Sequence, residues 1–222
     1  MSRSLAALEN EVKDLIKDSD GYVSSTALTN AVKRGLTRLS ECRPRYVIQD
    51  WTGNGVAKVF DLPTESYESG FSDIVKMQYP YDVTGAVLPN TLLPSSLMLF
   101  DVGNGSFKLH VGFVPADGKV VRVTFTARHS VAGDASTITS ASDEDAVIHW
   151  AAAECLKSMA AKAVALGDAM IGADNVSYQT RAGQYQSLAK LYEDMSGLKD
   201  APAFSFAKVD VRRLSGEAHL TH

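Results

Sequence analysis

The sequence predicts an α+β protein: a four-helix bundle built from both chain ends, an inserted antiparallel β domain, and an extended C-terminal tail. Three observations carry this prediction. Apolar residues recur at helical spacing before Pro44 and again after Ser142. Between those stretches the period shortens to two, and glycine- and proline-containing turns interrupt it. Beyond Pro202 the chain keeps a strand-like alternation as far as Arg213. The division that follows is 1–44 with 142–197 for the bundle, 45–130 for the β domain, 131–141 for a connector and 198–222 for the tail.

In the first helix Leu5, Leu8, Val12, Leu15 and Ile16 form one stripe, with Lys13, Asp14 and Lys17 opposite; Asp20-Gly21 ends it. Ser24 or Ser25 offers an N-cap for the second helix, whose stripe is Leu28, Val32, Leu36 and Leu39. Pro44 stops it, because the residue before a proline avoids helical dihedrals. Arg45 to Trp51 and Val56 to Asp61 read as two strands around a hairpin turn at Gly53-Asn54-Gly55, where glycine and asparagine tolerate positive φ. Phe71 to Tyr79 is a third strand, followed by an irregular stretch from Pro80 to Pro94.

Phe107, Leu109, Val111 and Phe113 share one face of a strand, and Val121, Val123, Phe125 and Ala127 share one face of another. The turn at Pro115-Ala116-Asp117-Gly118 between them predicts an antiparallel pair. Ser142-Asp143-Glu144-Asp145 fits a capping box opening a helix through Ile148, Ala152, Cys155 and Met159 towards Leu166. Its alanines (151, 152, 153, 160, 161 and 163) permit close helix packing. A last helix over Asn175–Met195 sets Tyr178, Tyr185 and Tyr192 at seven-residue steps, before a stop at Gly197.

The chemistry-bearing patterns are sparse. A net charge of −4 argues against a general nucleic-acid binder, which carries a basic footprint. Cys42 and Cys155 read as small apolar fillers in a reducing compartment. The charged, amphipathic start of the chain has no apolar core of a signal peptide, and no run reaches the roughly 18 apolar residues of a membrane span. Gly112 to Lys119 resembles a phosphate loop only superficially, since its glycine spacing is wrong and Val120 stands where a metal-binding hydroxyl is required. Asp145 and His149 lie one turn apart, two ligands where a metal site needs three or four. No catalytic residue, cofactor or metal is assigned. The tyrosine heptad reads as a helix-packing or subunit-interface stripe against the preceding helix, in preference to a base-stacking platform.

One resemblance adds to this reading. A helix ending in Leu39-Ser40-Glu41-Cys42-Arg43-Pro44-Arg45 runs into a strand, then Thr52-Gly53-Asn54-Gly55 and Phe60-Asp61-Leu62-Pro63. Phe71-Ser72-Asp73-Ile74, the run from Val121 to His129, and Ala135-Ser136-Thr137-Ile138 before the helix at Asp143 continue the series. In pattern and order, over Ser24 to Met195, this resembles the head–tail connector (adaptor) proteins of tailed bacteriophages. The resemblance implies a structural virion protein, assembled in the bacterial host cytoplasm and located in the neck. It implies a ring, commonly of twelve copies, below the portal protein. Neighbouring subunits and tail or neck proteins are then further partners, and the DNA channel continues through the ring without sequence-specific binding. A mildly acidic surface is compatible with such a channel. The portal-engaging role of a C-terminal extension would fall here to Phe204, Phe206, Lys208, Val209, Val211, Arg212 and Arg213, whose alternation suits β-augmentation of a portal edge.

A reading from another class is a carbohydrate- or ligand-binding module. It uses the β domain as its binding face and predicts an aromatic cleft near Trp51, Tyr79 and Tyr81. A hydrolase with dispersed catalytic residues is a third, and no local motif supports it.

Overall fold

Helices fall where the apolar stripes put them. The computed structural model describes residues 3–18, 21–92, 97–103, 106–132, 135–169 and 173–204. Within these the protein is mixed α+β, with four helices and antiparallel sheets. Helix α1 (Leu5–Ile16) opens with the Ser4 hydroxyl accepting from the Ala7 N–H and buries Leu8, Val12 and Ile16. Helix α2 (Ser25–Cys42) is capped in the same way by Ser24 and buries Leu28, Val32, Leu36 and Leu39. Helices α3 (Ala141–Ala169) and α4 (Ala173–Ser196) follow, and Gly197 leaves α4 with φ +64°, a conformation that favours glycine.

The chain divides into two compact units. The helical unit takes residues up to Arg45 and His129–Phe204. Helix α3 touches α1, α2 and α4, so it is apolar on most of its circumference. Ala151, Ala152, Ala153, Ala160 and Ala163 are buried there, while Ala161 is exposed. Helix α2 comes close to α3 at Gly35, where an added Cβ would stand 3.0 Å from the Val147 carbonyl oxygen.

Two expectations for this unit need correction. Helix α3 starts at Ala141, and the Ser140 carbonyl accepts from the Asp143 and Glu144 N–H groups, so Ser142 does not open a capping box. Glu144 is buried and serves a distant partner, accepting the Arg3 backbone N–H at 3.0 Å with the Arg3 Nε 3.3 Å from its other oxygen. The stretch taken as a connector carries a small hairpin, β8 (Val131–Ala132) with β9 (Ala135–Ser136), and buries Ile138 in the helical core.

The β unit, Tyr46–Arg128, holds two sheets. One has the order β1 (Arg45–Thr52), β7 (Val120–Ala127), β3 (Ile74–Tyr81), β4 (Thr91–Leu92). The other has the order β2 (Val59–Asp61), β6 (Ser106–Val111), β5 (Leu97–Gly103). One apolar cluster takes Met77, Val121, Val123 and Phe125 from the first sheet and Phe60, Leu99, Leu109 and Val111 from the second. The sheets therefore face each other across a shared core, as in a sandwich.

Both predicted hairpins are overturned. β1 pairs with β7 and β2 with β6, so no hairpin joins β1 to β2. β6 and β7, expected to pair, belong to opposite sheets. Alternation reports a buried face, and a strand buries that face equally well whether its sequence neighbour lies beside it or across the core. The two turns instead bond to each other: Gly53 N–H donates to the Lys119 carbonyl at 2.7 Å, Gly118 N–H to Gly53 at 3.0 Å, and Gly55 N–H to Pro115 at 3.1 Å.

At Gly53 the constraint is space. A Cβ there would meet the Ala116 carbonyl oxygen at 2.4 Å and the Pro115 carbonyl oxygen at 2.9 Å, both backbone atoms with little room to move. Gly53→Ala is expected to destabilise the β unit by about 1–3 kcal/mol through this overpacking. Denaturant titration followed by Trp51 fluorescence measures it; an unshifted midpoint would mean the two turns separate without cost.

Candidate assembly surfaces

The tail expected from residue 198 is rooted in the helical unit. Leu198 is fully buried, and the segment after it lies on α2. Arg38 holds it there: Nε donates to the Leu198 carbonyl at 3.0 Å, and Nη2 donates to those of Lys199 and Ala201 at 3.1 and 3.2 Å. A fourth bond, 3.2 Å from Nη1 to Glu41, steadies the guanidinium, which sits 6.0 Å from the Trp150 ring centroid. Phe204 N–H then donates to the Glu41 carbonyl at 2.7 Å. Helix α2 ends just there, leaving carbonyls without intrahelical partners, and the tail root takes one of them. Of the residues assigned to portal binding, Phe204 is half-exposed at this anchor. Phe206, Lys208, Val209, Val211, Arg212 and Arg213 lie outside the described residues.

In the tyrosine stripe, Tyr185 and Tyr192 are half-buried against the helical core. The Tyr192 ring stacks on His149 with centroids 5.8 Å apart and an interplanar angle of 10°. The Tyr178 side chain lies outside the described residues. His149 is thus engaged by an aromatic ring, Asp145 is exposed, and among the described residues no three metal-ligating side chains cluster. Another side of α4 exposes Leu188, Leu191 and Met195, which fall at i, i+3 and i+7 along one line. Their exposures of 43%, 52% and 54% leave an apolar strip on the outside of the unit. Lys157 bridges α3 to α4 through Glu193 at 2.5 Å and also holds Glu154 at 3.1 Å. Desolvation opposes its charge, yet these bonds leave the Lys157 ammonium above its usual range.

Trp51, Tyr79 and Tyr81, expected to line one cleft, each engage a neighbour of their own. Trp51 stacks on Phe60 at 5.3 Å, and Tyr79 packs on Phe113 at 4.7 Å while its hydroxyl accepts the Ala116 N–H at 2.7 Å. Tyr81 lines a cleft of about 530 Å³ with Val83, Val87 and Lys119. The Arg122 guanidinium lies 3.6 Å from the Tyr81 ring centroid and forks onto both Asp50 oxygens at 2.7 and 2.6 Å. Beside the cleft, Asp82 organises a loop by accepting from the Thr84 N–H, the Thr84 hydroxyl and the Val87 N–H. The Thr84 bonds hold the Asp82 carboxyl below its usual range. The loop exposes Val83, Val87 and, at 95%, Leu88. The sequence signal was present in Asp82-x-Thr84-Gly85, an Asx-turn pattern, inside a stretch read only as irregular.

His129 begins the return of the chain into the helical unit. Its N–H donates to the Ser40 hydroxyl at 2.9 Å, and Ser40 in turn donates to the Leu36 carbonyl at 2.6 Å. Its Nε2 is 2.9 Å from the Arg43 carbonyl, an acceptor, which assigns the ring proton to Nε2. Nδ1 is buried without a hydrogen-bond partner among the described residues. Desolvation pushes the His129 pKa below its ordinary value, against the opposing pull of the Arg43 carbonyl and Asp143. The unfolded chain therefore binds the proton more readily. Stability is full above the unfolded-state value of about 6.5 and is lost as pH falls from there towards the folded-state value. Unfolding titrations between about pH 5 and 7.5 are expected to show this slope. His129→Asn is expected to flatten it, and an unchanged slope would assign it to another group.

Cys42 and Cys155 are buried and free, and burial pushes the Cys155 thiol up to about 11. No described helix is long and apolar enough to cross a membrane. The chain matches no protein-family model and no curated protein.

Proposed function

We propose that this chain is a structural assembly protein, the head–tail adaptor of a tailed bacteriophage. In this reading the helices from both chain ends form a four-helix bundle that carries the β unit as an insertion. Copies join into a ring below the portal, and the ring continues the DNA channel towards the tail. The observation that carries the reading is the pairing, on one helical unit, of an exposed apolar strip on α4 with a chain end fastened by Arg38 and Glu41. Leu188, Leu191 and Met195 supply a subunit contact, and the root at Phe204 presents the following residues to a partner from a fixed point. Ring closure would multiply such individually weak contacts. The order of sequence patterns from Ser24 to Met195 supports the same class.

A ligand-binding reading has one observation in its favour, the cleft beside Tyr81. Arg122 already occupies one face of that ring, which leaves only the other for a sugar to stack on.

Native mass spectrometry of the purified chain, alone and mixed with the portal protein, tests the proposal. Assembly into a stoichiometric ring on the portal is the expected result. A persistent monomer that ignores the portal would overturn it and direct attention to the cleft.

A further inference from the structure

Among the described residues β1 stands at the edge of its sheet. It is eight residues long, and among the described residues β7 is its only neighbour in the sheet. Long edges are ordinarily protected by proline, by lysine, by a bulge or by brevity. The β1 sequence RYVIQDWT contains no proline and no lysine. Its two faces are both partly apolar: Tyr46 and Ile48 are more than half exposed, while Val47 and Trp51 lean on the β core.

A strand of matching length belongs to the same chain. Residues 205–212 contain no proline or glycine and alternate on both faces, with Phe206, Lys208 and Asp210 on one and Ala207, Val209 and Val211 on the other. Their starting point is fixed, because Phe204 N–H is bonded to the Glu41 carbonyl. Glu41 precedes Arg45, the first residue of β1, by four residues, so covalent geometry keeps the anchor within about 14 Å of the start of β1. Eight extended residues span about 26 Å, the length of β1 itself.

We propose that the outer edge of β1 is a strand-docking site and that residues 205–212 of the same chain occupy it. A strand that starts at the anchored Phe204 and follows β1 from its first residue would run parallel to it. With Phe206 on the Tyr46 and Ile48 face, Lys208 falls on the face of Asp50, and Val209 and Val211 fall on the inward face with Val47 and Trp51. The pairing thus matches apolar with apolar on both faces, while Lys208 and Asp210 both fall on the Asp50 face, a cation and an anion beside that carboxylate. This inference does not rest on the adaptor reading. Were both true, a portal edge would take over the same strand from β1, and docking would be an exchange of one β-augmentation for another.

Hydrogen exchange on the full-length purified chain, with no portal present, decides it. Alternate amides of β1 and the amides of 205–212 are expected to exchange at least about tenfold more slowly than unpaired chain. The double substitution Ala207→Pro and Val209→Pro, which removes two donors from the added strand, is expected to release both sets together. Amides of 205–212 that exchange at the unstructured rate in the unaltered chain would overturn the proposal, whatever the variant does. So would protection that appears only as concentration rises with a doubling of native mass, which would make the occupant a second copy.

Discussion

Phe125→Ala is expected to remove about 3–5 kcal/mol from the stability of the β unit, the usual loss when a fully buried aromatic is truncated to a methyl group. Phe125 is 0% exposed and lies on β7, which is flanked by β1 and β3 in its sheet. Its ring meets Tyr67 edge-on, with centroids 5.7 Å apart, and Tyr67 in turn touches Phe107 from the opposite sheet at 5.5 Å. Deleting the ring would open a cavity between the two layers, where neither sheet can close in without breaking ladder bonds. Burial first, and then Asp73, pushes the Tyr67 phenol up to about 12, so the same variant is expected to bring that value back towards the ordinary range. The two tryptophans divide between the units, Trp51 in the β unit and Trp150 in the helical one. Unfolding read by Trp51 in a Trp150→Phe background assigns the loss to the β unit. A loss below about 1 kcal/mol would mean that the layers collapse onto the void.

What the sequence disclosed, and what it withheld, follows from which interactions are local. Helix positions were legible because Ser24 and Gly197 act within a few residues, and the stripes of α1 and α2 declare their buried faces directly. The buried faces of β6 and β7 were legible for the same reason. Their partners were not, because strand pairing is decided across the core by residues far apart in the chain. Strand β5 was missed although its Gly103 pairs with Ser106 of β6, and the sequence between them, Asn-Gly, is a dipeptide that favours tight hairpins. Strand β3 was ended at Tyr79 because proline seldom sits in a strand. It runs on to Tyr81 through a register shift that accommodates Pro80.

The candidate surfaces divide in the same way. The tyrosines and the alternation after Pro202 are visible in one dimension, and the strip of Leu188, Leu191 and Met195 follows from helical spacing once the buried side of α4 is known. Arg38 carries no signal at all, since its acceptors are three backbone carbonyls some 160 residues away. The tail expected from residue 198 therefore begins inside the helical unit. A cut after Leu198 removes two of those acceptors and exposes the end of a core residue.

Arg38→Ala is the sharpest test of that root. A guanidinium with a side chain 25% exposed makes charge-assisted bonds to three carbonyls, and exposure discounts the usual 1.5–3 kcal/mol of each, so the summed loss is expected to be about 2–4 kcal/mol. The loss should be local as well as global. Leu198 stays held by its burial, while Lys199 to Phe204 lose the clamp, so limited proteolysis is expected to release the chain end at Lys199 well before the helices are cut. Arg38→Lys separates charge from geometry. An ammonium preserves the charge but cannot span Leu198, Lys199 and Ala201 with one planar fork, so it should rescue less than half of the loss. Full rescue by lysine would mean that the positive charge alone holds the root, next to Glu41 and the C-terminal end of the α2 dipole. If neither variant hastened cleavage at Lys199, the buried Leu198 would be the anchor, and the fixed point from which the tail departs would lie six residues earlier than Phe204.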